Sequence, residues 1–252
     1  MLVMDLIFGR NAVRDAAQSD PARIEKVLVQ RGISGDAMRR YIADLRTLGI
    51  NVQFVPVQKL DQLARGERHQ GVVAQMSAIT YLALDDLLAQ VAPTRDDVET
   101  IRPLIVVLDR VQDPHNVGAI IRSALAAGAV GVIISARGGA PINAVVVKTS
   151  AGAATRLPIA RVDRIADHIQ ALKERGYWVV ATDQRAEEPV WAADLTRPTI
   201  VIVGNEGEGV HPVLRDRCDH ILSIPMLGDM ESLNASVAAG IVFFERVRQL
   251  GG

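Results

Sequence analysis

Three short segments carry side chains that could do chemistry. In DRVQDPHNVGAIIRSALAAG (109–128), the Asn116 side-chain oxygen can accept an unpaired first-turn amide, so it is a candidate helix cap. Arg122 follows six residues later, roughly 120° around a helix of 3.6 residues per turn, so the two side chains can line one loop-side pocket. The same pair also suits a plain cap and a solvated charge, and His115 beside them suits a surface position. In VGNEGEGV (203–210), Gly204, Gly207 and Gly209 let the backbone bend sharply and approach a ligand closely. Their order is not the dinucleotide fingerprint G-x-G-x-x-G. The carboxylates of Glu206 and Glu208 would repel a pyrophosphate and suit a cationic or hydroxyl-rich ligand. That weighs against a nucleotide-binding oxidoreductase. In SIPMLGDMESLNASVAAGIVFFERVRQ (223–249), Ser232 is placed to cap a helix with Asn234 and Ser236 in its first turn. Such a helix start presents amides and hydroxyls to a ligand.

Each segment follows an apolar run. LIVVL (104–108), GVIIS (131–135), YWVVAT (177–182), TIVIV (199–203) and HILSI (220–224) read as strands. Helical spacing over 116–127, 163–175 and 232–249 alternates with them, which predicts an α/β fold with a mainly parallel sheet flanked by helices. The chemical segments would then leave the carboxyl ends of strands, the edge where open α/β sheets hold ligands. Upstream, EKVLVQ (25–30), a helix over 34–48, NVQFV (51–55) and GVVAQM (71–76) make a smaller α/β unit. Residues 78–102, with Pro93 and an acidic cluster, read as a linker holding one helical turn near 84–89.

Bulk composition narrows the class. Apolar residues are 49% of the 252 and aromatics only 4%, so the core must be built from aliphatic side chains. The net charge of −1 does not suggest a nucleic-acid partner, yet residues 1–77 carry 11 Lys/Arg against 8 Asp/Glu. Cys218 is the one cysteine, which excludes an internal disulfide and suits a reducing compartment. The start MLVMDLIFGR lacks the pattern of a secretory leader. No apolar run reaches the roughly 18–20 residues of a membrane span. These features predict a cytoplasmic protein.

The phrases DPHNVGAIIRSA, GNEGEGV, and SIPM followed by SLNASVA, in this order, resemble the motifs of the SPOUT superfamily of RNA methyltransferases, and within it the TrmH-type ribose 2′-O-methyltransferases. The resemblance covers nearly the whole chain, because residues 1–77 are similar to that family's small RNA-binding domain. It implies a small RNA-binding α/β domain over 1–77, a linker over 78–102, and a methyltransferase domain over 103–252 whose carboxyl-terminal part is tied in a trefoil knot. It further implies S-adenosylmethionine as cofactor, no metal, and a homodimer through the carboxyl-terminal domain. The implied substrate is a guanosine ribose of 23S ribosomal RNA; a transfer-RNA ribose and a non-catalytic RNA-binding or assembly role are the alternatives.

The resemblance also implies residue roles. Gly204, Asn205, Gly207, Ile224, Met226 and Leu233 would hold the cofactor. Arg122 would be essential, either taking part in removal of the 2′-hydroxyl proton or orienting phosphate and ribose. A guanidinium ordinarily stays protonated, which makes the first role awkward. Asn116 would position Arg122 or the ribose. Glu206 would orient Arg122 or support the loop, and Ser232 and Asn234 would fix cofactor and substrate. In the amino-terminal domain, Arg10, Arg14, Arg39, Arg40 and His69 are candidate phosphate contacts.

Overall fold

The alternation of apolar runs with amphipathic stretches produces two α/β units, Met1–Thr80 with Pro141–Ala144, and Tyr81–Ala140 with Val145–Gly252. The computed structural model describes residues 6–229 and 232–252. The reading of the amino terminus as leaderless rests partly on residues 1–5, outside the described residues.

The first unit runs β1 (Leu6–Phe8), α1 (Arg10–Ser19), β2 (Ile24–Gln30), α2 (Asp36–Thr47), β3 (Val52–Val55), α3 (Val57–Ala64) and β4 (Val72–Met76). Its sheet has the order β1-β4-β2-β3. β4 is antiparallel to both neighbours, and β2 is parallel to β3. α1 and α2 bury Val13, Ala17, Met38, Tyr41 and Leu45 against one face. Leu60 of α3 packs with Leu28 and Val73 on the other. β1, α1 and α3 are short elements that the sequence reading does not identify: β1 spans three residues, and α1 and α3 each bury only two side chains.

The second unit runs α4 (Leu84–Val91), α5 (Arg95–Ile101), β5 (Leu104–Leu108), α6 (Pro114–Ala126), β6 (Gly131–Ser135), α7 (Ala144–Thr149), β7 (Ile159–Val162), α8 (Ala166–Glu174), β8 (Trp178–Thr182), β9 (Glu188–Pro189), β10 (Thr199–Val203), α9 (Pro212–Arg215), β11 (His220–Ser223) and α10 (Ala235–Gln249). Its seven strands lie in the order β7-β6-β5-β10-β8-β11-β9, and every pairing is parallel. β5 and β10 are buried along their whole length, as expected of strands covered on both faces. Each buried Val, Ile or Leu side chain there contributes roughly 1.5–3 kcal/mol, so the strand ends that carry the loops are held firmly.

The stretch 78–102 is not a plain linker. It forms α4 and α5, and Leu87, Leu88, Ala92 and Val98 join the core of the second unit. The acidic run read there as a turn is a helix start: Thr94 accepts from the Asp97 amide while Asp97 accepts from the Thr94 amide, a reciprocal cap. Two expected caps also move. Pro114 lacks an N–H and favours the first helical position, so α6 begins there and Asp113, not Asn116, caps it by accepting from the His115 amide at 2.9 Å. α10 is capped by Asn234, whose Oδ1 accepts from the Ser236 and Val237 amides at 2.9 and 3.4 Å; Ser232 precedes the cap. Among the described residues no helix is long and apolar enough to cross a membrane.

Candidate active site

Parallel pairing puts every strand's carboxyl end on one edge of the sheet, so the loops after β5, β8, β10 and β11 emerge together. Between the last three lies a cleft of about 570 Å³. All six candidate cofactor residues, Gly204, Asn205, Gly207, Ile224, Met226 and Leu233, line it, together with Glu206 and Ser232. The loop after β8, from Thr182 to Arg185, forms a wall that sequence reasoning missed. Asp183 in that wall pairs with Arg215 at 3.3 Å. The only sequence signal for it was its place directly after the YWVVAT strand.

The glycine loop closes on itself. The amides of Asn205 and Gly209 bond each other's carbonyls at 3.0 and 2.9 Å. A Cβ on Gly204 would lie 2.3 Å from the Gly209 carbonyl carbon and the Val210 nitrogen, so only glycine fits. Gly209 has φ +70°, a left-handed conformation that favours glycine. Asn205 Oδ1 accepts from the Gly207 and Glu208 amides at 2.9 and 3.1 Å, and its Nδ2 donates to the Arg110 carbonyl at 3.0 Å.

A chain of hydrogen bonds joins the three motif loops behind the cleft. Asn116 Nδ2 donates to Glu206 Oε1 at 3.1 Å. Asn234 Nδ2 donates to Asn116 Oδ1 at 3.0 Å. Glu206 also accepts from the Gln112 and Asp113 amides, both at 3.3 Å. Burial pushes the Glu206 carboxyl up, but the bonds from Asn116 and from these amides outweigh it and hold it below its ordinary value. Asn116 is only 9% exposed, whereas Glu206 is exposed to solvent on its other side. The early start of α6 is what turns Asn116 into this position instead of the cap.

Arg122 stands apart from that chain. It is exposed on α6 and makes no hydrogen bond or ion pair among the described residues. Glu206 therefore bonds Asn116 and the loop, not Arg122. Beside the motifs, Asp109 is buried at the end of β5 and accepts from the His211 amide at 2.7 Å. Arg110 pairs with Glu208 at 2.8 Å. Among the described residues no cluster of three metal-ligating side chains occurs.

In the first unit, Arg10 and Arg14 meet at Tyr41. The Tyr41 hydroxyl donates to the Arg10 carbonyl at 3.3 Å, and the Arg14 guanidinium lies 5.3 Å from the ring centroid. Arg39 pairs with Asp36, and Arg40 is exposed. His69 is committed within the fold: Nδ1 accepts from the Gly71 amide at 3.0 Å and Nε2 faces Asp61 at 2.9 Å. Sequence reasoning passed over Arg31 and Arg68, both exposed on loops at the same end of the sheet. That end is tied together by the Gly9 amide on Val72 and the Gln30 amide on Gly71.

Comparison with known proteins decides the family. The family model described as the SpoU rRNA methylase family matches residues 103–244, more than half of the chain. The chain belongs to the SpoU rRNA methylase family. A second model, described as RNA 2′-O ribose methyltransferase substrate binding, matches residues 6–82. Within the family, the 23S rRNA (guanosine-2′-O-)-methyltransferase RlmB of Haemophilus influenzae is 40% identical over 244 residues, covering 96% of this chain and 97% of the relative. The SpoU methyltransferase AviRb of Streptomyces viridochromogenes, solved with AdoMet, has a TM-score of 0.58 at 31% identity and covers 98% of this chain and 90% of that one. The A. aeolicus TrmH/SpoU tRNA modifying enzyme has a TM-score of 0.54 at 33% identity but covers only 62% of this chain and 82% of its own.

Proposed function

We propose that this SpoU-family protein transfers a methyl group from S-adenosylmethionine to a ribose 2′-hydroxyl of RNA, with a guanosine of 23S ribosomal RNA as the target. The observation that carries the reading is the Glu206–Asn116–Asn234 chain, which ties the first motif segment to the two motif loops that line the cleft. Both units matched by the 23S rRNA relative are present, whereas the tRNA-modifying relative matches less than two thirds of the chain.

The cleft suits the cofactor. A volume of about 570 Å³ is that of a small-molecule site. Ile224, Met226 and Leu233 offer apolar surface to an adenine, backbone groups of the glycine loop offer donors and acceptors, and the acidic loop suits a sulfonium. When bound, S-adenosylmethionine supplies an electrophilic methyl carbon that an oxygen nucleophile displaces. Glu206, held ionised by its hydrogen-bond partners, keeps the glycine loop and the start of α6 in register. Asn234 and Ser232 hold the third loop against the cofactor side. Arg122, without a protein partner among the described residues, is available to bind the substrate phosphate and orient the ribose oxygen for attack. As a cation it also lowers the cost of negative charge developing on that oxygen. The 2′-hydroxyl itself separates RNA from DNA as substrate.

RNA affinity comes from the end of the first unit that carries Arg10, Arg14, Arg31, Arg39, Arg40 and Arg68, through contacts to phosphates. His69 shapes that end and does not bind. The knotted region of the family resemblance corresponds to about 199–249. The apolar side chains Val237 and Phe244, exposed on α10, form the homodimer contact, and a cytoplasmic location goes with a ribosomal RNA substrate. Mapping 2′-O-methyl groups in ribosomal and transfer RNA from a strain deleted for this gene tests the target. Loss at one guanosine of 23S RNA is expected; loss confined to a tRNA would overturn it.

A further inference from the structure

We propose that Arg110 is a positioning residue that clamps the glycine loop closed against the cofactor cleft, acting through Glu208. The inference rests on the reading of that cleft as the S-adenosylmethionine site.

The backbone at Arg110 is the first sign. It has φ +58°, a left-handed conformation that costs an L residue and suits glycine. A side chain kept at such a place needs a compensating interaction. The Arg110 side chain makes two. Its Nη1 donates to Glu208 Oε2 at 2.8 Å, and its Nε donates to the buried Asp109 at 3.3 Å. Glu208 lines the cleft; Arg110 itself does not. The Arg110 carbonyl meanwhile accepts from Asn205 Nδ2 at 3.0 Å. One residue of the first motif loop thus holds the turn from Asn205 to Gly209 at two places, Asn205 and Glu208.

The stem of Arg110 is held in turn. A Cβ on Gly138, which has φ +83°, would lie 3.1 Å from Arg110 Cγ. The Ala140 amide bonds the carbonyl of the next residue, Val111, at 2.8 Å. The loop after β6 therefore packs against the stem and leaves the guanidinium aimed at Glu208. The guanidinium is 26% exposed while Glu208 is 74% exposed. The pair is screened by solvent, so its contribution is modest and falls with salt.

The decisive variant is Arg110→Gly, because it relieves the backbone while removing the clamp. A purely structural arginine would lose thermal stability on substitution and leave ligand affinity alone. The clamp predicts the reverse. Backbone amides over 204–210 should exchange hydrogen for deuterium about 3- to 5-fold faster in the protein without ligand, the factor expected from losing one exposed ion pair. The Kd for S-adenosylmethionine, by calorimetry on the full chain, should weaken by a similar factor, with no fall in melting temperature. Glu208→Gln should do the same, and the double variant should add nothing. Exchange over 204–210 identical to the wild type in Arg110→Gly overturns the clamp. A lower melting temperature with unchanged Kd overturns it as well. A wild type that binds no S-adenosylmethionine overturns the cofactor reading instead, and the exchange measurement still decides the clamp.

Discussion

Asn116→Asp is the most revealing perturbation of the site, because it changes charge and hardly changes shape. The amide nitrogen now donating to Glu206 at 3.1 Å becomes a carboxylate oxygen. The hydrogen bond to a charged acceptor is lost, at a cost of roughly 1.5 kcal/mol. Two unit charges 3.1 Å apart also repel by about 1.3 kcal/mol at the dielectric of water and about 5 kcal/mol at an effective value of 20. Glu206 is open to solvent on one side, so the lower figure is nearer. The bond from Asn234 becomes charge-assisted and returns roughly 0.5 kcal/mol. The net cost at neutral pH is about 2–3 kcal/mol. Asn116→Ala, which adds no charge, should cost less. The sign with pH is specific: two adjacent carboxylates share a proton in acid, so Asn116→Asp should approach the wild type at about pH 5 and fall furthest behind at about pH 8. Both tryptophans, Trp178 and Trp191, lie in the second unit, so intrinsic fluorescence in a urea titration reports on the unit that holds the site. An Asn116→Asp midpoint equal to the wild type at both pH values would refute the hydrogen-bond chain.

Other outcomes follow from the same geometry. Gly204→Ala should break both Asn205–Gly209 bonds, at about 1 kcal/mol each, and weaken S-adenosylmethionine binding about 30-fold by calorimetry. Arg122→Ala should lower methyl transfer at least about 100-fold while the cofactor Kd stays unchanged, since Arg122 does not line the cleft; a matching loss of cofactor affinity would contradict its assigned place. The Glu206 carboxyl is held below its ordinary value of 4.5. Its share of stability is therefore present above that value and lost as pH falls through the lowered one. Glu206→Gln should flatten that acid limb of the unfolding midpoint against pH. Arg31→Ala and Arg68→Ala should each lower the slope of log affinity for RNA against log salt by about 0.7–0.9, without changing which nucleotide is methylated.

The inner strands were legible because burial on both faces makes LIVVL, GVIIS and TIVIV continuous apolar runs with sharp ends. Elements with little to bury were not. α1 hides only Val13 and Ala17, and β9 has two residues. α5 was obscured by its own start, since the acidic residues that cap it look like a turn. At the site, motif spacing pointed to Asn116 and Ser232 as caps, but Pro114 and Asn234 shift both helix starts. That shift of a few residues turns Asn116 toward Glu206. The Glu206–Asn116 bond joins residues 90 apart, and no local pattern encodes such a contact. Arg110 was silent for a related reason, as its backbone conformation and its pairing with Glu208 exist only once the loops after β5 and β10 sit side by side.

Methyl transfer to a ribose oxygen is tested directly by one measurement. The purified protein is incubated with methyl-labelled S-adenosylmethionine and 23S ribosomal RNA from the deletion strain, and the RNA is then hydrolysed in alkali. Methylation of the 2′-oxygen blocks cleavage at that linkage, so label is expected in an alkali-resistant dinucleotide beginning with guanosine, absent with Arg122→Ala. Label recovered only in single nucleotides would place the methyl group on a base, and no label at all would remove the transferase reading.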